Sequence, residues 1–301
     1  MTKIRPAPAD GHLVHSRMKI PSFTKHFHMK QVLLVGAGHA FPKGPFAFLH
    51  AMQQQERIHA RGLFFRPADY SALALNSPGA AFVPVMELED NEIEAIAANK
   101  TLFTRQCEQY YIPYSLHKND RELDKDLLIK ESRFADLILI SGELFYADTD
   151  SKQPNQYLRK VLHSAECPVL VVPENFTGIE HLFIAYDGSR ESLHAIKQFC
   201  YLFPEFTDLP TEVVYVNEEA SDPIPDFEHL NQFTRLKFDC MSFSKLHFKA
   251  NDSFATWISE KKNALLVSGS FSRAPLSYIG RRSFAGDVIH DHQLLVFIAH
   301  R

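Results

Sequence analysis

The segment Asp136-Leu-Ile-Leu-Ile-Ser-Gly142 returns as Asn263-Ala-Leu-Leu-Val-Ser-Gly269. Val161-Leu-His163 returns as Val288-Ile-His290 at the same offset of 127 positions (288 − 161 and 263 − 136). Equal spacing at two separate points means that the stretch between them has one length in both halves. That is the mark of an internal duplication, so the chain must fold as one unit used twice.

The unit itself alternates short apolar runs with amphipathic stretches. In the first half, strands are expected at Gln31 to Val35, Gly62 to Phe65, Ile112 to His117, Asp136 to Ser141 and Pro168 to Val172. Helices are expected at Pro45 to Ala60, Glu92 to Tyr111, Glu122 to Phe134 and Asn155 to His163. The helical stripes are Phe48, Met52, Gln55 and Ile58 in the first helix, and Ile93, Ile96, Ala97, Phe103, Cys107 and Tyr110 in the second. In the third, Leu123, Leu127 and Leu128 face inward.

The second half repeats the order. Its strands are Leu182 to Tyr186, Glu212 to Val216, Lys245 to Phe248, Ala264 to Ser268 and Leu294 to Ile298. Its helices are Arg190 to Phe203, Asp226 to Cys240, Ser253 to Lys262 and Arg282 to His290. Leu193, Ile196, Cys200 and Phe203 form the buried stripe of the first of these. Fully apolar strands need cover on both faces, and strict alternation implies right-handed crossovers. The expected fold class is α/β: two tandem, doubly wound, open parallel-sheet domains of Rossmann-like type, at residues 30–174 and 180–301.

Residues 1–29, with Pro6, Pro8 and Pro21, carry no apolar period and read as a disordered or extended arm. Met29-Lys30 directly precedes the first strand, so a natural start at Met18 or Met29 is an expectation that an intact mass would check. His26 and His28 make a His-x-His pair, and His290-Asp291-His292 a second short cluster. Neither has the further ligands that a metal site needs, so no metal is expected.

At 45% hydrophobic and 23% charged residues with a net charge of −4, the chain has an ordinary globular composition. No basic block points to nucleic acid or to an anionic membrane, and no apolar run is long enough to span a bilayer. Cys107, Cys167, Cys200 and Cys240 are scattered, and buried free thiols are expected of them. That usage fits a reducing compartment, and a cytoplasmic location is the expectation.

The stretch His181-Leu-Phe-Ile-Ala-Tyr-Asp-Gly-Ser-Arg-Glu-Ser192 reads as a buried strand, a turn and a helix. Ser189 suits the helix cap, and Glu191 suits the positive end of the helix. Its Ala185-Tyr186-Asp187-Gly188-Ser189 resembles the Ala-x-Asp-Gly-Ser of universal stress protein domains. The resemblance covers most of residues 30–301 and implies a tandem member of that family, paired as an intrachain pseudo-dimer through Pro168 to Val172 and Leu294 to Ile298. A homodimer of chains is a further expectation.

Members of the family that bind ATP carry a loop after strand four: Gly, two residues, Gly, nine residues, Gly, then Ser or Thr. The stretch from Gly269 to Ser283 is similar to it in part. Gly269 and Ser283 stand in place, while Ser272 and Arg282 occupy two of the glycine positions and Gly280 falls two residues early. The resemblance implies ATP or AMP binding in the second half by Ala185, Tyr186, Asp187, Val216, Gly269, Ser272, Arg273, Arg282, Ser283 and Phe284. Two readings stay open. Arg273, Arg281 and Arg282 either hold phosphate through their forked donors or are surface residues beside a closed site.

The first half keeps only Gly142 of the loop, with Phe145, Asn155 and Gln156 at the other positions, and Gly38 stands where Asp187 does. No ATP is expected there, and Gly36 and Gly38 read as a tight turn rather than a dinucleotide loop. The resemblance implies a stress-response protein that senses adenine nucleotide. The alternative is a scaffold acting through protein contacts, and a slow ATPase ranks last because no general base is evident. Ser189 and Ser192 lack a His-Asp pair for nucleophilic work. His163 and His290 suit helix ends, and Trp257 with Phe254 and Ile258 suits helix packing.

Overall fold

Runs such as Leu-Ile-Leu-Ile at 137–140 have no polar side to turn toward water, so they must be covered from both directions. In the computed structural model of the chain they are the middle of one sheet. The structure describes residues 29–37, 40–65, 85–117, 125–142, 161–216, 223–246, 257–258, 261–269 and 294–299.

The strands are β1 (Lys30–Ala37), β2 (Ile58–Phe65), β3 (Tyr114–Leu116), β4 (Leu137–Ser141) and β5 (Val169–Val172), then β6 (His181–Ala185), β7 (Thr211–Val216), β8 (Met241–Leu246), β9 (Ala264–Ser268) and β10 (Leu295–Ile298). Their order in the ten-stranded sheet is β3-β2-β1-β4-β5-β10-β9-β6-β7-β8. The order reads alike from either end: each half lays its strands out as third, second, first, fourth, fifth. All neighbours within a half are parallel, and β5 meets β10 antiparallel, with Val171 opposite Val296, Leu170 opposite Phe297 and Val169 opposite Ile298. The carboxyl ends of the two sets of strands therefore lie on opposite edges of the sheet.

The helices are α1 (Lys43–Gln55), α2 (Val85–Gln109), α3 (Lys125–Ser132), α4 (Arg190–Leu202) and α5 (Phe227–Arg235). Period-two alternation divides the core into two layers. Val32, Leu34, Leu137 and Leu139 face α1, α2 and α4 through Phe46, Leu49, Phe103 and Phe199. Leu33, Val35, Ile138 and Ile140 face the other way, toward Leu128 of α3, Val161, Leu162 and Ile258. Trp257 packs edge-on against Phe183 of β6, with ring centroids 5.4 Å apart. The sheet is thus sandwiched, as a doubly wound α/β fold requires.

One aromatic group ties the halves together on the first of these faces. Phe48 of α1 touches Phe176 of the connecting segment and Phe203 at the end of α4, with centroids 5.5 and 5.8 Å away. Phe203 and Phe199 in turn meet Phe297 of β10 at 6.0 and 5.4 Å. Full burial of one such side chain is worth roughly 1.5–3 kcal/mol, and a well-oriented ring pair about 0.5–1.5 kcal/mol more.

Several expected boundaries move. The first helix stops at Gln55, not Ala60, and Ile58 opens β2 opposite Lys30. Glu56 is extended (φ −149°), and eight residues of β2 pair with eight of β1. Ile58 fits a helical stripe by spacing, but pairing with the central strand buries it completely.

On α2 the buried face is Ile96, Asn99, Phe103 and Cys107, while Ile93, Ala97 and Tyr110 are exposed. The contacts of Phe103 with Phe46, Phe64 and Tyr114 set that rotation. Helix α5 ends at Arg235, short of Cys240, and β8 starts at Met241 rather than Lys245, its register with β7 beginning at Thr211 opposite Met241. Cys107, Cys167 and Cys200 are buried free thiols, but Cys240, at the surface turn before β8, is exposed. No helix among the described residues is long and apolar enough to cross a membrane.

Candidate functional site

The chain leaves β6 toward β7 on one side and leaves β9 toward β10 on the other. Between two neighbouring strands that part in this way a crevice opens at their carboxyl ends. Asp187 and Gly269 stand at the two lips of that crevice.

Ala185 closes β6, and pairing continues one residue further, where the Tyr186 amide donates to the Val214 carbonyl at 3.0 Å. The Tyr186 ring turns into the core, 2% exposed, and its hydroxyl donates to the Pro225 carbonyl at 3.2 Å. Burial pushes its phenol up from the ordinary value, and the nearby charges of Asp226 and Asp187 add to this. The backbone of Tyr186, not its ring, borders the crevice.

The Asp187 Oδ1 atom accepts the Ser189 amide at 2.9 Å, which fixes the carboxylate across the turn. Gly188 has φ +80°, and a Cβ there would come within 2.9 Å of Pro225. Glycine is required on both counts. Ser189 then caps α4: its Oγ accepts the Ser192 amide at 3.1 Å, with Glu191 in the first turn.

Gly269 follows β9 and runs against that same first turn. A Cβ on it would lie 2.3 Å from the Glu191 carbonyl carbon and the Ser192 nitrogen. Backbone-to-backbone contact with α4 therefore accounts for this glycine. Asp187, the α4 N-terminus and Gly269 form one corner. Val216 ends β7, the strand beside β6. Ser272, Arg273, Arg281, Arg282, Ser283 and Phe284 lie outside the described residues, as do Gly38, Phe145, Asn155 and Gln156 of the first half.

The matching corner of the first half is built from residues that sequence patterns do not single out. Helix α1 has Pro42 at its cap, no side-chain cap and no acidic residue in its first turn. Its Gly44 amide instead donates to Glu174 Oε2 at 3.1 Å, from the segment after β5. A Cβ on Gly44 would sit 1.9 Å from the Pro173 carbonyl oxygen. A glycine in a helix's first turn is the only sequence signal for this contact.

A cleft of about 430 Å³ lies between Pro173, Phe176 and Gly178 of the connecting segment and Lys262, Asn263 and Leu295. It adjoins the amino ends of β9 and β10, across the sheet from Asp187. No group of three or more His, Cys, Asp or Glu suited to a metal ion occurs among the described residues.

No protein-family model and no curated protein sequence matches the chain. Solved structures do. A universal stress protein from Archaeoglobus fulgidus DSM 4304 superposes with a TM-score of 0.63 at 14% identity, covering 90% of this chain and 96% of that one. A structure from Pseudomonas aeruginosa UCBPP-PA14, assigned as a universal stress protein, gives 0.50 at 15% identity over 90% and 93%. Strand order, the crevice between β6 and β9 and these superpositions together show that the chain has a universal stress protein-like fold.

Proposed function

We propose that this chain is a tandem universal stress protein, with domains at 30–174 and 180–301, and that it binds adenine nucleotide, ATP or AMP, in the second. The observation that carries this is the fixed carboxylate of Asp187 at the lip of the crevice. Its Oδ1 is held by Ser189, and its Oδ2 takes no hydrogen bond among the described residues, so it is available to a ribose hydroxyl. Ser272, Arg273, Arg282 and Ser283 would meet the phosphates, with Val216 and Phe284 toward the nucleoside. A stress-response role in the cytoplasm accompanies this reading.

Titration calorimetry with ATP and with AMP at millimolar concentration tests it. Heat of binding that is lost in Asp187→Ala, with the variant still folded, supports nucleotide binding. No heat from the unaltered protein with either nucleotide defeats it.

A second reading, a scaffold that recruits another protein, rests on a different observation. Tyr201 of α4 and Leu236 after α5 are 64% and 83% exposed, and Lys237 lies 5.6 Å over the Tyr201 ring. Large apolar side chains left this exposed are what a protein contact would cover. Double substitution of Tyr201 and Leu236 by Ser should then abolish a complex recovered with the unaltered chain.

A further inference from the structure

We infer that the cleft under the connecting segment is a binding site for a small organic anion, an apolar body carrying one carboxylate, sulfonate or phosphate group. The site lies apart from the nucleotide reading of the second half and does not rest on it.

The topology makes the cleft. Segment 173–180 leaves β5 and has to pass the amino ends of β10 and β9 to reach β6, because those two strands stand between. Since β10 runs antiparallel to β5, its amino end lies where β5 finishes. The far end of the segment is fastened to Asn263, the residue before β9. The Asn263 carbonyl accepts the Glu180 amide at 2.7 Å, its Oδ1 accepts the Thr177 hydroxyl at 3.3 Å, and its Nδ2 donates to Glu180 Oε1 at 3.0 Å. At the near end the Phe176 amide donates to the Pro173 carbonyl at 3.2 Å, and the Phe176 ring packs on Phe48. The space of about 430 Å³ left inside is thus bounded by a segment tied down on both sides, as a pre-formed ligand site requires.

The chemistry of the occupant follows from the wall. Pro173, Phe176 and Leu295 supply apolar surface, and Asn175 and Thr177 supply polar groups. The one charged residue of the wall is Lys262. No carboxylate lines the cleft, and Glu180 Oε1 is engaged by Asn263. Lys262 is exposed and enters no ion pair among the described residues, whereas its neighbour Lys261 lies 4.8 Å over the Trp257 ring. An unpaired ammonium beside apolar surface selects a ligand of opposite charge with an apolar body. One cation matches one anionic group, and the volume falls near the lower end of the roughly 300–1,000 Å³ that ligand sites span.

The probe is anilinonaphthalene sulfonate, an apolar ring system with a single sulfonate. Thr177-Gly178 is the one Thr-Gly pair in the sequence. Carbonyl-13C threonine with 15N-glycine therefore isolates the Gly178 amide, which belongs to the wall of the cleft. In the full chain that resonance should move with added probe and saturate. Affinity should fall about fivefold or more in Lys262→Ala and be kept in Lys262→Arg. Excess ATP should leave the probe in place.

A Gly178 resonance that stays still while the fluorescence of the probe rises puts the probe elsewhere and overturns the proposal. Equal affinity in Lys262→Ala and the unaltered chain overturns it as an anion site. Displacement of the probe by ATP overturns it as a separate site. The Gly178 and Lys262 readouts hold whether or not the second half binds nucleotide, so the two readings fail independently.

Discussion

The ring of Phe48 on α1 stands edge-on to the ring of Phe203, the C-cap residue of α4, with centroids 5.8 Å apart and planes at 82°. The contact joins residues from the two halves of the sequence, and Phe176 and Phe206 close round it. Phe48→Ala should cost about 3–5 kcal/mol, because the surrounding rings belong to different elements and cannot all collapse into the gap. Urea unfolding would show a lowered midpoint. A change below about 1 kcal/mol would mean that the cluster does not join the halves energetically.

Ser189 offers a finer measurement. Ser189→Ala removes the acceptor of the Ser192 amide and should cost about 1 kcal/mol, whereas Ser189→Gly should cost only a few tenths. Chemical denaturation of both variants gives the comparison. Equal losses would point to something other than capping.

Gly269→Ala separates two roles for one glycine. Contact with the α4 backbone predicts a loss of about 1–3 kcal/mol with no nucleotide present, since Glu191 and Ser192 are main chain and give way only by moving the helix. A variant of unchanged stability that binds nucleotide less well would instead assign the glycine to phosphate alone.

The thiols make a prediction about pH. Burial, then the charge of Glu108, pushes Cys107 up to about 12. Burial, then Asp136, pushes Cys167 up to about 12, and burial pushes Cys200 up to about 11. Unfolded thiols ionise near 9.0, so above that pH the unfolded chain gives up protons that the folded chain keeps. Stability contributed by the protonated thiols is whole below pH 9.0 and is lost as pH rises toward 11 and 12. The urea midpoint should fall between about pH 8 and about pH 10. At the lower pH a thiol reagent should modify Cys240 rapidly and the other three only on unfolding.

What the sequence discloses of this fold follows burial. Strands β4, β5, β9 and β10 are buried at every position, so their letters are apolar apart from the closing Ser141 and Ser268, and their limits fall within a residue of expectation. Strand β8 is an edge with half-exposed residues and Ser242 and Ser244 inside it, and no apolar run marks its start. Ile58 satisfies helix spacing and strand chemistry alike, and only its pairing with β1 decides between them. The corner at Asp187, Gly188 and Ser189 is legible because its contacts span two or three residues. The corner at Gly44 and Glu174 is not, because nothing local hints at a partner so distant along the chain.

The antiparallel seam of β5 and β10 has one more consequence. It turns the carboxyl ends of the two halves' strands away from each other, on opposite edges of one ten-stranded sheet. A ligand at one edge would be separated from the other edge by the length of the strands, so two held at once would never touch. Among the described residues the halves are joined by three strand pairings, by the phenylalanines packed over them and by the Lys30 ammonium donating to the Leu202 carbonyl, and any coupling between the two edges would have to pass through such contacts.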